Sequence, residues 1–266
     1  MSGYRLLAMD LDGTLLEADN TVPAAVNRRL QRLSAQGVYI VLATGRMGTT
    51  ARSYAAAISN QAMCISFNGA LVIRGDECLF RSEVPVPLIK RMAAFCKERG
   101  LYLQIYSGDK ICVEERCPEL DTDPDLKYAR AVELGDLTQA ELRPSPKLLI
   151  SHDPAAVPAL IVELRQLFPE LNITQSMPYL IEIMMRGVDK SDALRELARQ
   201  LGVSRREVVA CGDNFNDLPM VAWAGCGVAV ANAVPELKNV ADYVAAGERS
   251  AGVAEAIDRL FADRLS

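Results

Sequence analysis

The 266-residue chain has little of what several kinds of protein depend on. It contains one histidine, His152, at the end of the apolar run "KLLIS". One histidine by itself supplies only one of the four ligands a zinc site takes. Its seven cysteines (64, 78, 96, 112, 117, 211 and 226) are odd in number and form no Cys-x-x-Cys pair. Several lie inside apolar runs such as "AMCISF" and "VVACG", as small buried hydrophobes of a reducing compartment do. A basic excess is missing too: 29 Lys and Arg stand against 34 Asp and Glu, a net charge of −5. That argues against binding nucleic-acid backbone. There is no run of about 18 apolar residues for a membrane span. Nor does the N-terminus show the basic, apolar and small-residue succession of a signal peptide. The expectation is a soluble, cytoplasmic protein. Aromatics are only 6% of residues while half the chain is apolar, which gives an ample, mostly aliphatic core.

What is present is a rhythm. "YRLLAMD" reads as a buried strand. "TVPAAVNRRLQRLSAQG" reads as a helix with Pro23 in its first turn, Val26, Leu30 and Leu33 on one face, and Gly37 as its stop. "VYIVLATG" is a strand apolar on both faces, as in a parallel sheet covered by helices. A helix over about 47–59 and the strand "MCISFNGA" follow. This β-α-β-α-β order implies right-handed crossovers and a doubly wound, parallel α/β sheet.

The pattern then changes. "LVIRGDECLFRSEV" reads as a hairpin turning at Gly75-Asp76. A helix near 86–99, strands "LYLQIYSG" and "KICVEE", a polar stretch near 117–146, "KLLISH", a helix near 155–168, "NITQS" and "YLIEIMM" suit a compact α+β insert. The α/β rhythm resumes with a helix from about 189, the strand "EVVACGD", a helix after Asn216, the strands "GVAVA" and "DYVAA", and a last amphipathic helix. Residues 1–81 and 186–266 are therefore expected to form one discontinuous core, with 82–185 as a second domain.

The carboxyl ends of the core strands collect the reactive residues. The first strand delivers Asp10 and Asp12, the second Thr44, Gly45 and Arg46, the third Asn68 and Gly69. "EVVACG" delivers Asp213, with Asn214, Asn216 and Asp217 just beyond, and Lys190 starts the helix before that strand. Ligands of open α/β sheets bind at this rim. Four carboxylates there repel one another unless a cation and a lysine offset them. An all-oxygen cluster favours a hard ion, Mg²⁺ beside a phosphate. With a Thr hydroxyl and Gly-flanked amides, this makes a phosphoryl clamp. Asp10 is then suited to attack phosphorus, and Asp12 to protonate the leaving oxygen and later deprotonate water. Gly13 lets the backbone turn close to the ion.

"DLDGTL", "ATGR", "KSDAL" and "GDNFNDLPM", in this order and with a long insert between the second and third, resemble the haloacid dehalogenase superfamily, above all its Cof-type sugar-phosphatase branch. "FNGA" and "YLIEIMMRGVDK" extend the resemblance over nearly the whole chain. It implies that Asp10 is nucleophile and metal ligand, and that Asp12 is acid/base and lends its backbone carbonyl to Mg²⁺. Thr44 and Gly45 would hold the phosphoryl oxygens, and Lys190 would bridge nucleophile and phosphate. Asp213 would ligate Mg²⁺, with Asp217 and Asn214 supporting from behind, and Asn216 would reach the phosphate. Leu11, Arg46 and Asn68 join the phosphate- or substrate-binding candidates. The insert would be an α/β cap that selects a small phosphorylated metabolite, with a sugar phosphate as the expected substrate. One departure stands out: Lys190 is followed by Ser191, where many relatives have Gly. Ser191 is expected to cap the helix it starts.

Other residues have plainer readings. Arg46 and Asn68 are read either as substrate-orienting groups or as surface residues. The acidic stretch 119–126 is read as a solvated loop in preference to a substrate-touching cap loop, and Tyr102, Tyr106 and Tyr179 as core or sheet packing in preference to a pocket contact. Two other functions share the same residues. A phosphomutase would pass the phosphoryl group to a second hydroxyl, and a non-catalytic regulator would only bind a phosphometabolite.

Overall fold

The computed structural model describes residues 3–118, 120 and 124–265. Of the acidic stretch 119–126, residues 119 and 121–123 lie outside the described residues. From the N-terminus run β1 (Leu6–Met9), α1 (Ala24–Ala35), β2 (Tyr39–Ala43), α2 (Gly48–Ile58), β3 (Met63–Ser66) and the hairpin β4 (Leu71–Arg74) and β5 (Glu77–Arg81). Next come α3 (Val86–Arg99), β6 (Tyr102–Ser107), β7 (Lys110–Val113), β8 (Arg130–Glu133), β9 (Leu148–Ser151), α4 (Val157–Leu167), β10 (Leu171–Met177) and β11 (Leu180–Met185). The chain continues with α5 (Lys190–Gln200), β12 (Val208–Gly212), α6 (Leu218–Trp223), β13 (Cys226–Ala229), α7 (Pro235–Val240), β14 (Tyr243–Val244), α8 (Arg249–Leu260) and α9 (Ala262–Leu265). Two compact units result: residues up to Phe80 together with those from Asp189 on, and Arg81–Val188.

The first unit is built on an eight-stranded sheet in the order β14-β13-β12-β1-β2-β3-β4-β5. The strands from β14 to β3 are parallel to their neighbours, and β4 returns antiparallel to β3. Alternation along each strand sends side chains to two buried faces. On one, Leu7, Met9, Ile40, Leu42, Val209 and Val228 meet Val26, Leu30 and Leu33 of α1 and Val253 and Ile257 of α8. On the other, Leu6, Ala8, Val41, Ile65 and Val208 meet Leu194 and Leu197 of α5 and Met220 of α6. Each fully buried Leu or Val contributes about 1.5–3 kcal/mol. Helix α1 forms because its apolar residues recur at helical spacing, and it ends just before Gly37, whose φ of +80° suits glycine.

The second unit holds a six-stranded sheet in the order β10-β11-β9-β6-β7-β8. It is antiparallel except for the β7–β8 pair. Leu103, Ile105, Leu148, Ile150, Ile181 and Ile183 pack on Ile89, Met92 and Cys96 of α3 and Leu160 and Leu164 of α4. The alternate positions carry buried polar groups, among them Gln104 and Glu182, and the Lys147 ammonium lies 3.2 Å from Glu182.

Three elements escape the sequence reading, the last of them the four-residue α9. Strand β8, "RAVE", has only two apolar residues between charged ones and lies at the sheet edge, where pairing rather than burial defines it. Helix α7 has six residues and one buried side chain, Leu237, too short for a visible periodicity. The third core strand also stops earlier than "MCISFNGA" suggests. After Ser66 the chain enters a 3₁₀ turn, Phe67–Gly69, with Phe67 and Asn68 at φ near +50°.

Candidate active site

Parallel pairing of β12, β1, β2 and β3 puts their carboxyl ends on one rim. Leaving β1, Asp10 donates its backbone N–H to the Cys211 carbonyl at 3.0 Å, which ties the end of β1 to β12. The Leu11 carbonyl then accepts the N–H groups of Leu15 and Leu16, coiling the next turn. Leu11 itself is fully buried, its side chain part of the apolar core. Gly13 sits at φ +86°, and a Cβ there would overlap the Asp213 carboxylate. This is the close approach that requires glycine.

The second strand end is drawn in by main-chain bonds. Thr44 donates to Ile65 at 2.8 Å, and its carbonyl accepts Asn68 N–H at 3.0 Å. The Thr44 hydroxyl oxygen, fully buried, accepts the Arg46 N–H at 3.1 Å. Gly45 lies between these two, half-buried. At the third strand end the Asn68 amide oxygen accepts from Asn216 Nδ2 at 3.2 Å, bringing together two phosphate-binding candidates 148 residues apart. Gly69 has φ +109°, and a Cβ there would overlap the Asp189 backbone. That packing seats the start of α5 against the turn.

Lys190 is the first residue of α5 and is fully buried. Its Nζ donates to Asp10 Oδ1 at 2.6 Å and to Asp217 Oδ1 at 2.7 Å. A lysine at this end of a helix opposes the helix dipole, and two ion pairs outweigh that. The cap of α5 differs from the sequence expectation. Asp189, not Ser191, accepts the N-cap bond, from Asp192 N–H at 2.7 Å. Ser191 lies one position inside the helix, buried, and its hydroxyl has no hydrogen-bond partner among the described residues. The N-cap preference of Asp just before the first helical residue is the signal that identifies Asp189.

After β12, Asp217 Oδ2 accepts the N–H groups of Asp213 at 3.0 Å and Asn214 at 3.2 Å. Asn214 caps the same turn by accepting Phe215 N–H. Both carboxylate oxygens of Asp217 are therefore engaged in holding Lys190 and the loop. Asp213 Oδ1 accepts the Thr14 hydroxyl at 2.7 Å, a partner visible in "DLDGTL" but not assigned from the sequence. Asp12 points elsewhere. Its half-exposed carboxylate pairs with the buried Arg46 guanidinium, Nε to Oδ2 at 2.8 Å and Nη2 to Oδ1.

Asp10, Asp213 and Asp217 each offer an oxygen within 4.8 Å of the others. These three carboxylates face one ammonium, a surplus of two negative charges that a divalent cation matches. The donors are all oxygen, which suits a hard ion, and among the described residues Asp10 Oδ2 and Asp213 Oδ2 accept no hydrogen bond. The donor set thus suits a hard divalent ion such as Mg²⁺, which Asp10 and Asp213 would hold with Asp217 behind them. Burial pushes the Asp10 carboxyl well above the usual carboxylate range; the Lys190 charge opposes this and the neighbouring aspartates add to it. Burial, with the Asp217 charge, pushes Asp213 up to about 6 against the Thr14 hydrogen bond. Burial disfavours the Lys190 charge, yet Asp10 and Asp217 hold it above the usual lysine value.

A doubly wound sheet with a buried, lysine-paired carboxylate at its rim defines a class of protein. The family model described as haloacid dehalogenase-like hydrolase matches residues 7–257, and the chain belongs to that family. It is a phosphatase, a hydrolase of phosphoric monoesters. It is 31% identical to protein YxeH of Bacillus subtilis (strain 168), covering 97% of this chain and 98% of that one. YcsE of the same strain, named a 5-amino-6-(5-phospho-D-ribitylamino)uracil phosphatase, is 30% identical over 95% of this chain and 94% of its own. A solved haloacid dehalogenase-like hydrolase from Bacteroides thetaiotaomicron superposes with a TM-score of 0.87 at 31% identity, covering 97% of this chain and 100% of that one.

Proposed function

We propose that the protein hydrolyses small phosphorylated metabolites, sugar or polyol phosphates, in a Mg²⁺-dependent reaction through an aspartyl-phosphate on Asp10. The observation that carries this reading is the buried Asp10 carboxylate, with one oxygen on Lys190 and the other without a hydrogen-bond partner among the described residues. Asp10 attacks phosphorus, the bond to the leaving oxygen breaks, and Asp12 gives that oxygen its proton. Asp12 then takes a proton from water, whose oxygen attacks the phosphorus of the aspartyl ester and releases phosphate and free Asp10. Lys190 bridges Asp10 and the phosphoryl group, and the Thr44–Gly45 main chain, Asn68 and Asn216 hold phosphoryl oxygens. Mg²⁺, when held by Asp10, Asp213 and the Asp12 carbonyl, supplies charge neutralisation for the phosphoryl oxygens.

The second unit, Arg81–Val188, is assigned to substrate selection. The name of YcsE supports the substrate class, since a phosphoribityl group is a polyol phosphate. The cytoplasm is the proposed compartment, supported by seven unbridged cysteines, five of them buried. The test is phosphate release from hexose, pentose and polyol phosphates, nucleotides and flavin mononucleotide, with Mg²⁺ and with EDTA. Mg²⁺-dependent release from the sugar and polyol group supports the proposal. Silence across the panel from folded protein overturns it.

A further inference from the structure

The sequence left Arg46 between two readings, a substrate contact and a surface residue. Its burial rules out the surface reading, and its hydrogen bonds turn it towards Asp12. The side chain is 8% exposed, while the Asp12 side chain it pairs with is 51% exposed. Nε and Nη2 reach the two oxygens of Asp12 in a fork, and Nη2 also donates to Asn20 Oδ1. Three of the five N–H donors of the guanidinium are thereby committed within this one cluster. The cluster has its own supports. The Tyr54 ring lies 5.9 Å from the guanidinium carbon, and its hydroxyl donates to the Asn20 carbonyl at 2.9 Å. Asn20 sits at φ +61°, a left-handed conformation that asparagine tolerates in a tight turn. The Arg46 main chain is pinned on both sides, its N–H on Thr44 and its carbonyl on Phe67 N–H.

Asp12 needs such a partner for a physical reason. Its carboxylate stands half in solvent on a loop that turns through Gly13 in a left-handed conformation, so nothing else among the described residues fixes its rotamer. A fork to arginine occupies one lone pair on each oxygen and sets the carboxylate plane, leaving the other lone pairs free for proton transfer. A lysine could supply the charge but not the plane.

We propose that Arg46 is a positioning residue: braced by Asn20 and Tyr54, it orients the Asp12 carboxylate for proton transfer and is not a ligand of the phosphoryl group. This role rests on the phosphatase reading and on Asp12 as its acid/base.

The test is a double-mutant cycle of Arg46→Ala and Asp12→Asn, read with two esters. One is a hexose 6-phosphate, whose leaving oxygen needs a proton. The other is p-nitrophenyl phosphate, whose leaving group needs little, followed as the single-turnover release of p-nitrophenolate. Arg46→Ala should lower kcat on the hexose phosphate by about 10–100-fold with KM nearly unchanged, and leave p-nitrophenolate release within about threefold of wild type. In the Asp12→Asn background it should add less than about a twofold loss. Arg46→Lys and Asn20→Ala, milder changes should Arg46→Ala fail to fold, should give smaller losses confined to the hexose phosphate. A KM raised about tenfold or more for both esters, or an undiminished effect in the Asp12→Asn background, would make Arg46 a phosphoryl ligand and overturn the role. Wild-type protein that releases phosphate from neither ester with Mg²⁺ would instead overturn the phosphatase reading, and this role with it.

Discussion

Lys190 Nζ lies 2.6 Å from Asp10 Oδ1, an ion pair between residues 180 positions apart that joins the start of α5 to the end of β1. Both partners are buried, so the pair bears on folding as well as on the proposed chemistry. Replacing Lys190 by Met should abolish turnover and leave Asp10 and Asp217 buried without a counter-charge. Breaking a buried pair from one side costs about 3–5 kcal/mol, so the urea midpoint should fall clearly. An unchanged midpoint would mean that another cation compensates.

Asp10→Asn keeps the shape of the side chain and removes the attacking oxygen. It should lower kcat by about 10⁴-fold or more, as loss of a nucleophile does, with an unchanged circular dichroism spectrum. Appreciable residual turnover with no phosphoenzyme trapped by acid quench in the wild type would remove Asp10 from the nucleophile role.

Asp12→Asn should cost about 10²–10⁴-fold on a sugar phosphate, the range for a lost general acid/base. Phosphoenzyme should still form from an activated ester and then persist, because water is no longer deprotonated. Equal loss of phosphoenzyme with every leaving group would show that Asp12 acts otherwise.

Mg²⁺ should stabilise the protein more at pH 7.5 than at pH 5. The folded Asp213 carboxyl is pushed up to about 6, above an ordinary value of about 3.9. Between those values the folded state binds the proton better than the unfolded chain. In the absence of the cation, its contribution therefore favours folding at low pH and fades as pH rises through about 6. Above that pH Asp213 is ionised and available to the cation, and Mg²⁺ at about 100 times its Kd adds about 2.7 kcal/mol. Below it, proton and cation compete. Thermal unfolding with Mg²⁺ and with EDTA at both pH values measures the difference, and an equal shift at each would count against Asp213 as a holder.

Gly13→Ala combines a positive φ with a Cβ that would overlap the Asp213 carboxylate. It should destabilise by about 1–3 kcal/mol from backbone strain and weaken Mg²⁺ binding about tenfold. Calorimetric titration with Mg²⁺ reads the second effect separately from the first.

The strand ends were legible in the chain itself. Apolar runs closed by Asp10, Thr44 and Asp213 alternate with helical periods, and a parallel sheet then forces those ends onto one rim, because every strand in it points the same way. The cap of α5 was misassigned to Ser191, because which residue caps depends on where the helix starts, and the structure starts it at Lys190 with Asp189 as the cap. Strand β8 was not legible, because an edge strand is defined by its partner β7 rather than by its own apolar content.

Side-chain partnerships were decided only by the tertiary structure. Nothing near Arg46 in the chain says that its guanidinium turns to Asp12, and nothing near Thr14 says that its hydroxyl turns to Asp213. Likewise Asp217 gives both its oxygens to Lys190 and its own loop. Periodicity and capping act within a few turns of chain, so they fix elements and their ends. Which charged groups meet depends on rotamers and on segments brought together by the folded core, and that information is not local to any stretch of the sequence.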